Sequence, residues 1–386
     1  MKQRILGRTG IAAGEIGMGL EHLLDKDERV VADTIAAALD GGVTYMDCHP
    51  GHDIKSGEIE YGGYLKLGKA IRGRRDGLCL TYLAASSLSP ADTRPRFEYF
   101  LRAIESDYVE VFILQFCDKV KDYDVMTGAG GLLEYALALR EEGKIKHIGI
   151  STHSAAVAYK AIDSGVIDVL MYPVNPAFDV VTDEEQYKTD KLETLWDAAH
   201  DFSAAGKSGA QPRKSVYSEC EKSGVALVVM KAFGGGFIFE VEKDAGFTPV
   251  NLIAYALAQT GVSVVAPGCT KPGEIEEILR YNSSTDEERD YSGAVAKSRW
   301  SVMENCLYCN HCLPCGADIN IAQVNRLLDA LAYNPGADDK SVRAGYGALG
   351  VKASACIECG VCVERCPFKV KVIERMKEAV RIFESA

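Results

Sequence analysis

Val109-Glu-Val-Phe-Ile-Leu-Gln115 and, further on, Ile145-Lys-His-Ile-Gly-Ile-Ser151 are short runs dominated by apolar and β-branched residues. Runs of this kind suit strands buried on both faces, which is the setting a parallel sheet provides. Working outward, the same signature recurs upstream at Leu78–Leu83, Val43–Asp47 and Glu15–Gly19. It recurs downstream at Ile167–Tyr172, Val225–Met230 and Ser263–Ala266. Helical stretches separate these runs. Asp27–Asp40 places Val31, Ile35, Ala38 and Leu39 on one face and stops at Gly41-Gly42; Pro249–Gln259 and Gly273–Tyr281 are others. Eight strands alternating with helices predict an α/β fold, a (β/α)8 TIM barrel over residues 1–290. A hairpin around Gly7–Gly10 is expected to cap its bottom. Asp53–Tyr61 and Asp179–Lys214 exceed ordinary loop length, and both follow strand C-terminal ends, where barrels build their sites.

The chain of 386 residues is 25% charged and carries a formal net charge of −12. That balance disfavours a nucleic-acid partner. No run approaches the ~20 apolar residues of a membrane helix, and the N-terminal MKQRILGRTGIAAGEIG has no signal-peptide core. The expectation is a cytoplasmic protein with no membrane partner. Of thirteen cysteines, Cys48, Cys79, Cys117, Cys220 and Cys269 are scattered and read as small buried hydrophobes.

The other eight crowd into residues 306–366, which predicts a small C-terminal domain over 291–386. They read Cys306-Leu-Tyr-Cys309-Asn-His-Cys312-Leu-Pro-Cys315 and Cys356-Ile-Glu-Cys359-Gly-Val-Cys362-Val-Glu-Arg-Cys366-Pro367. Three cysteines at two-residue intervals wrap a [4Fe–4S] cubane, and the fourth of each run ligates the other cluster. Cys306, Cys309, Cys312 and Cys366 are then expected to hold one cluster, and Cys356, Cys359, Cys362 and Cys315 the second. Structural zinc is the alternative, but its ligands come in pairs with a spacer inside each pair. His311 reads as a bystander. Between the runs, Ile321–Tyr333 has helical periodicity and ends at Asn334-Pro335-Gly336; Gly345–Lys352 reads as a flexible approach, and Val370–Phe383 as a closing amphipathic helix. Two clusters in one small fold point to electron relay, and so to an electron-donor or acceptor protein.

Segments along the whole chain carry a family resemblance: Leu6-Gly-Arg-Thr-Gly10, Gly41-Gly-Val-Thr-Tyr-Met-Asp47, Leu67-Gly-Lys-Ala-Ile71, Gly143-Lys-Ile-Lys-His-Ile-Gly-Ile-Ser151, Met230-Lys-Ala-Phe-Gly-Gly-Gly236 and Pro267-Gly-Cys-Thr-Lys-Pro272. The sequence resembles the aldo/keto reductase superfamily, in its branch with a C-terminal ferredoxin-type domain. The resemblance implies NADPH-dependent carbonyl reduction by an Asp, Tyr, Lys and His tetrad. Asp47 matches the aspartate, while the other three positions fall on His52, Tyr82 and Gln115. Tyr82 cannot supply a lysine's charge and Gln115 cannot titrate; His52 can donate a proton near neutral pH. Tyr61 or Tyr64 could also fold back into the site. The family's nicotinamide-holding glutamine and asparagine fall on Met171 and Ile278. Ser151 is retained, and Gly268, Thr270 and Lys271 could still hold a phosphate of NADP(H).

Three functions remain open. The first is an oxidoreductase passing electrons between the clusters and a small-molecule substrate or cofactor at the barrel mouth. The second is a non-catalytic electron-transfer or docking subunit. The third is an NADPH-dependent carbonyl reductase with ancillary clusters.

Overall fold

The computed structural model describes residues 1–49, 62–180, 212–298, 304, 306–333 and 339–385. Most of the two predicted insertions therefore lies outside the described residues, as does Asn334-Pro335-Gly336. Strands β1 (Gln3–Ile5) and β2 (Ala12–Gly14) pair antiparallel. Eight further strands form one parallel sheet in sequential order: β3 (Met18–Gly19), β4 (Tyr45–Asp47), β5 (Cys79–Ala85), β6 (Val109–Gln115), β7 (Ile145–Ser151), β8 (Val169–Pro173), β9 (Ala226–Met230) and β10 (Val262–Val265). Bridges from Ile16 to Val265 and from Gly19 to Gly268 join the first strand to the last and close the barrel. The strands β6 and β7 have the predicted bounds; the others begin or end a few residues away. The first is the most reduced, because Ile16 pairs with the last strand while Met18 and Gly19 pair with β4.

Every residue of β6 is buried, as a strand packed between barrel interior and helix layer must be. Side chains alternate between the two sides. Tyr45, Cys79, Leu83, Val111, Ile113 and Val264 belong to an interior cluster, whereas Met46, Leu80, Tyr82, Phe112 and Leu114 pack outward with the helices. The interior is tight: a Cβ at Gly149 would lie 2.4 Å from Ile113 Cδ1. Leu6 and Ala13 of the hairpin join the interior cluster, so the hairpin plugs the bottom as expected. Gly7 seats it, with φ +48° and its Cα so close to Gly224 O that a Cβ would stand 2.3 Å away.

The helix Glu28–Asp40 buries Val31, Ile35, Ala38 and Leu39, and the chain reverses through Gly42 at φ +89°. In the C-terminal part, Ile321–Tyr333 is a helix with the predicted bounds. The approach Gly345–Lys352 differs from expectation only at its start, where Gly345–Gly347 ends the helix Asp339–Gly347. Within it Tyr346 is buried, stacks on Phe383 at 4.3 Å and donates to Glu384 at 2.6 Å. No helix among the described residues is long and apolar enough to cross a membrane.

Candidate functional site

The strand C-termini open into a cavity of about 520 Å³. Inward-facing strand ends put Asp47, Leu83, Gln115, Ser151, Met171 and Met230 on its wall, and Gly268, Thr270 and Ile278 come from the segment after β10. Asp47, Gln115, Ser151, Gly268 and Thr270 are thus brought together. His52 lies outside the described residues. Tyr82 does not reach the mouth, which corrects its assignment as a catalytic residue: it is buried among Tyr64, Phe97, Phe100 and Phe112, with ring centroids 5.0 to 6.5 Å away. A strand turns over every residue, so an assignment one place off points to the opposite face. The inward residue beside it is Leu83, which carries no charge. Tyr64 is likewise committed to this aromatic layer.

Asp47 accepts a hydrogen bond from Thr81 Oγ1 at 3.2 Å. Burial, reinforced by the nearby Glu21 carboxylate and opposed by the Thr81 hydroxyl, pushes its carboxyl up to about 7. The folded protein therefore holds this proton more tightly than the unfolded chain, whose aspartates titrate near ~3.9. That contribution to stability is complete below about pH 4 and is lost as pH rises through about 7, a difference of roughly 4 kcal/mol. Asp47→Asn keeps the Thr81 bond without the charge. It should gain stability relative to the parent at pH 8 and match it near pH 4, and denaturant melts at the two pH values check this. Equal differences at both would show that the carboxyl is ionised throughout.

Several groups at the mouth escaped the sequence reading. Glu21 and His22 follow β3, and His49 follows Asp47 by two residues; all three line the cavity. His153, two residues past β7, also lines it and is 2% exposed. Its Nδ1 lies 3.1 Å from both oxygens of Asp118, and its backbone N–H donates to Asp118 Oδ1 at 2.7 Å. These bonds hold the Asp118 carboxyl below its usual range against the cost of burial. With Nδ1 committed, Nε2 is the free proton site, and it has no hydrogen-bond partner. The signal for these residues was position: each immediately follows a strand end on the active face. Phe116 and Lys231, also on the wall, adopt left-handed backbone at φ 56° and 53°, a strain that accumulates at functional sites.

The phosphate-binding candidates are engaged within the chain. Thr270 donates to Glu274 Oε2 through its backbone N–H at 2.7 Å and its hydroxyl at 3.0 Å, and Lys271 Nζ lies 3.7 Å from Glu274 Oε1. Ser151 Oγ accepts from the Phe116 N–H at 3.2 Å. Glu21, Asp47, Glu274 and Glu277 line the mouth against a single lysine, Lys231, among the described residues.

The eight clustered cysteines border two further cavities. Cys306, Cys309, Cys312 and Cys366 line one of about 20 Å³. Cys315, Cys356, Cys359 and Cys362 line the other, of about 260 Å³, which Cys312 also touches. None of the eight is in a disulfide. The two runs share one backbone pattern: Tyr308 and Asn310 flank Cys309 at φ 57° and 64°, and Glu358 and Gly360 flank Cys359 at 54° and 81°. Alternation of this kind turns successive N–H groups toward a common concave side. Ala317 N–H lies 3.4 Å from Cys315 Sγ. His311, which also lines the first of these cavities, contacts Ser292 Oγ at 3.2 Å and Asp290 at 3.3 Å. Among the described residues, no three His, Cys, Asp or Glu side chains converge tightly enough for a single metal ion.

Residues 15–193 match the model of the aldo/keto reductase family. An aldo-keto reductase of Bacillus subtilis, YhdN, is 29% identical over 171 residues, covering 40% of this chain and 48% of that protein. The chain therefore spans about half the length of this curated relative. Among solved structures, the holo form of aldo-keto reductase AKR11C1 from Bacillus halodurans superposes with a TM-score of 0.56 at 18% identity, over 79% of this chain and 98% of that one. An aldo-keto reductase from Klebsiella pneumoniae in complex with NADPH gives 0.50 at 15% identity, over 74% and 91%. Both likenesses concern the fold.

Proposed function

Because residues 15–193 match the model of the aldo/keto reductase family, we propose that the protein is an oxidoreductase of that family that holds two [4Fe–4S] clusters beside its barrel. It would act on a small molecule in the barrel mouth and exchange electrons with a donor or acceptor protein. The observation that carries this reading is the division of the cysteines. The spacing assigns Cys366 to the first run and Cys315 to the second, and those are the cavities they line. Inward amides and the matched left-handed residues supply the polarity that iron–sulfur sites use.

The clusters, when bound, supply electrons singly. The barrel residues do the rest. Asp47, titrating near neutrality, holds or releases a proton at its carboxyl. His153, oriented by Asp118, offers a second site at Nε2. Met171, Met230 and Phe233 narrow the mouth and limit water. A nicotinamide-dependent carbonyl reductase is the second reading, favoured by retention of Asp47 and Ser151 at the mouth; the internal use of Thr270 and Lys271 by Glu274 weighs against it.

The deciding experiment is metal and sulfide analysis of protein purified without oxygen. About eight irons and as many acid-labile sulfides per chain are expected, with a broad brown absorption that dithionite bleaches. Stoichiometric zinc with no iron would overturn the reading.

A further inference from the structure

Lys214 is a buried cation at the seam between the barrel and the first cysteine run. It lies in the helix Pro212–Ser223 and is 4% exposed. Its ammonium donates to the backbone carbonyl of Cys306 at 3.3 Å and sits 4.6 Å from the centre of the Tyr308 ring. Arg326 lies over the same ring at 4.9 Å and ties it to the barrel by donating to Ala258 O. Tyr291 donates to Leu307 O at 2.8 Å from the barrel side. The carboxylates acting on Lys214 are Asp179 and Asp329. Asp179 already accepts from Tyr217 and Tyr255, and Asp329 from Tyr308 and Arg375.

The second run has no buried cation beside it among the described residues: Arg365 lines its cavity and donates to Pro314 O at 3.2 Å, but it is exposed. Its Cys359 is exposed, as is Ile357, and the ion pair of Lys377 with Glu358 is at the surface, where solvent screens it. One cysteine set therefore meets a buried positive charge delivered by the barrel, and the other meets water.

We propose that Lys214 is a positioning residue that raises the reduction potential of the cluster held by Cys306, Cys309, Cys312 and Cys366. This rests on the iron–sulfur reading above. Adding an electron makes a cluster more negative, and burial penalises that state. A cation fixed against the Cys306 backbone carbonyl in a poorly screened setting offsets the penalty. Water does the same work at the second cluster, so Lys214 keeps the barrel-side cluster reducible despite its burial.

The test is a potentiometric titration of the full chain under anaerobic conditions, followed by EPR, on protein of known iron and sulfide content. The parent should show two reduction steps. In Lys214→Met one step should move to lower potential while the other stays. Lys214→Arg should leave both near their parent positions, and Lys377→Met should move neither. Where Lys214→Met fails to load iron, Asp329→Asn decides, with the same single step expected to move upward. Fully loaded protein whose steps stay in place in the deciding variant overturns the role of Lys214 while leaving the clusters intact. A parent without iron and sulfide overturns the cluster reading itself, and this inference with it.

Discussion

Replacing Cys366 with alanine should strip the cluster of the first run, although Cys366 belongs to the second. Iron should fall from about eight toward about four per chain. The reason is geometric: Cys366 lines the cavity bordered by Cys306, Cys309 and Cys312, so its loss leaves that site with three thiolates. Paired substitutions give the sharper readout. Cys309→Ala with Cys366→Ala should lose no more iron than either alone, because both empty one site. Cys359→Ala with Cys366→Ala should lose nearly all of it. The reverse pattern would mean that each run closes its own cluster. Since metal binding and folding are coupled in small metal domains, the double variant that empties both sites should also melt the C-terminal part at lower temperature.

The second large effect is expected in the barrel. NADPH-dependent reduction of simple aldehydes should run about 10²–10⁴-fold slower than in an ordinary reductase of the same fold, the usual worth of a tuned proton donor. The inward residue at the lysine's strand is Leu83, and Gln115 stands on the next strand; neither adjusts an acid's proton affinity. A dinucleotide phosphate would also have to displace Glu274 from Thr270 and approach a mouth rich in carboxylates. Loss of NADPH absorbance with a panel of aldehydes measures this. Turnover at ordinary family rates would show that the mouth works without the missing groups and would bring the carbonyl-reductase reading forward.

The barrel was legible in the sequence because its strands are buried on both faces, so their apolar runs report position directly. The bounds of β6 and β7 could be read to the residue. The face of a side chain was harder. Tyr82 and Leu83 are adjacent, both could end a strand, and only the pairing register sends one to the helices and the other to the mouth. The Asp118–His153 pair was invisible for another reason. Its members are 35 residues apart on loops after neighbouring strands, and it exists only once β6 and β7 lie side by side. The grouping of the cysteines was legible in their spacing, since Cys366 lines the cavity of the first run and Cys315 that of the second. The helix Asp339–Gly347 was not; its Tyr346 meets Phe383 across the fold.

With the proposed clusters in place, the crossing of Cys315 and Cys366 between the two cavities would also govern how the protein wears out in air. Cys359 is the most accessible of the eight sulfurs, so an oxidant arriving from solvent meets the second-run site first. Breakdown there would release Cys315, three residues from Cys312 in the loop packed on the barrel, and would loosen the loop that carries Cys366. On the proposed two-cluster reading, injury at the rim would pass to the sheltered site without the oxidant entering it, and the most exposed cysteine, Cys359, would set the useful life of the assembly.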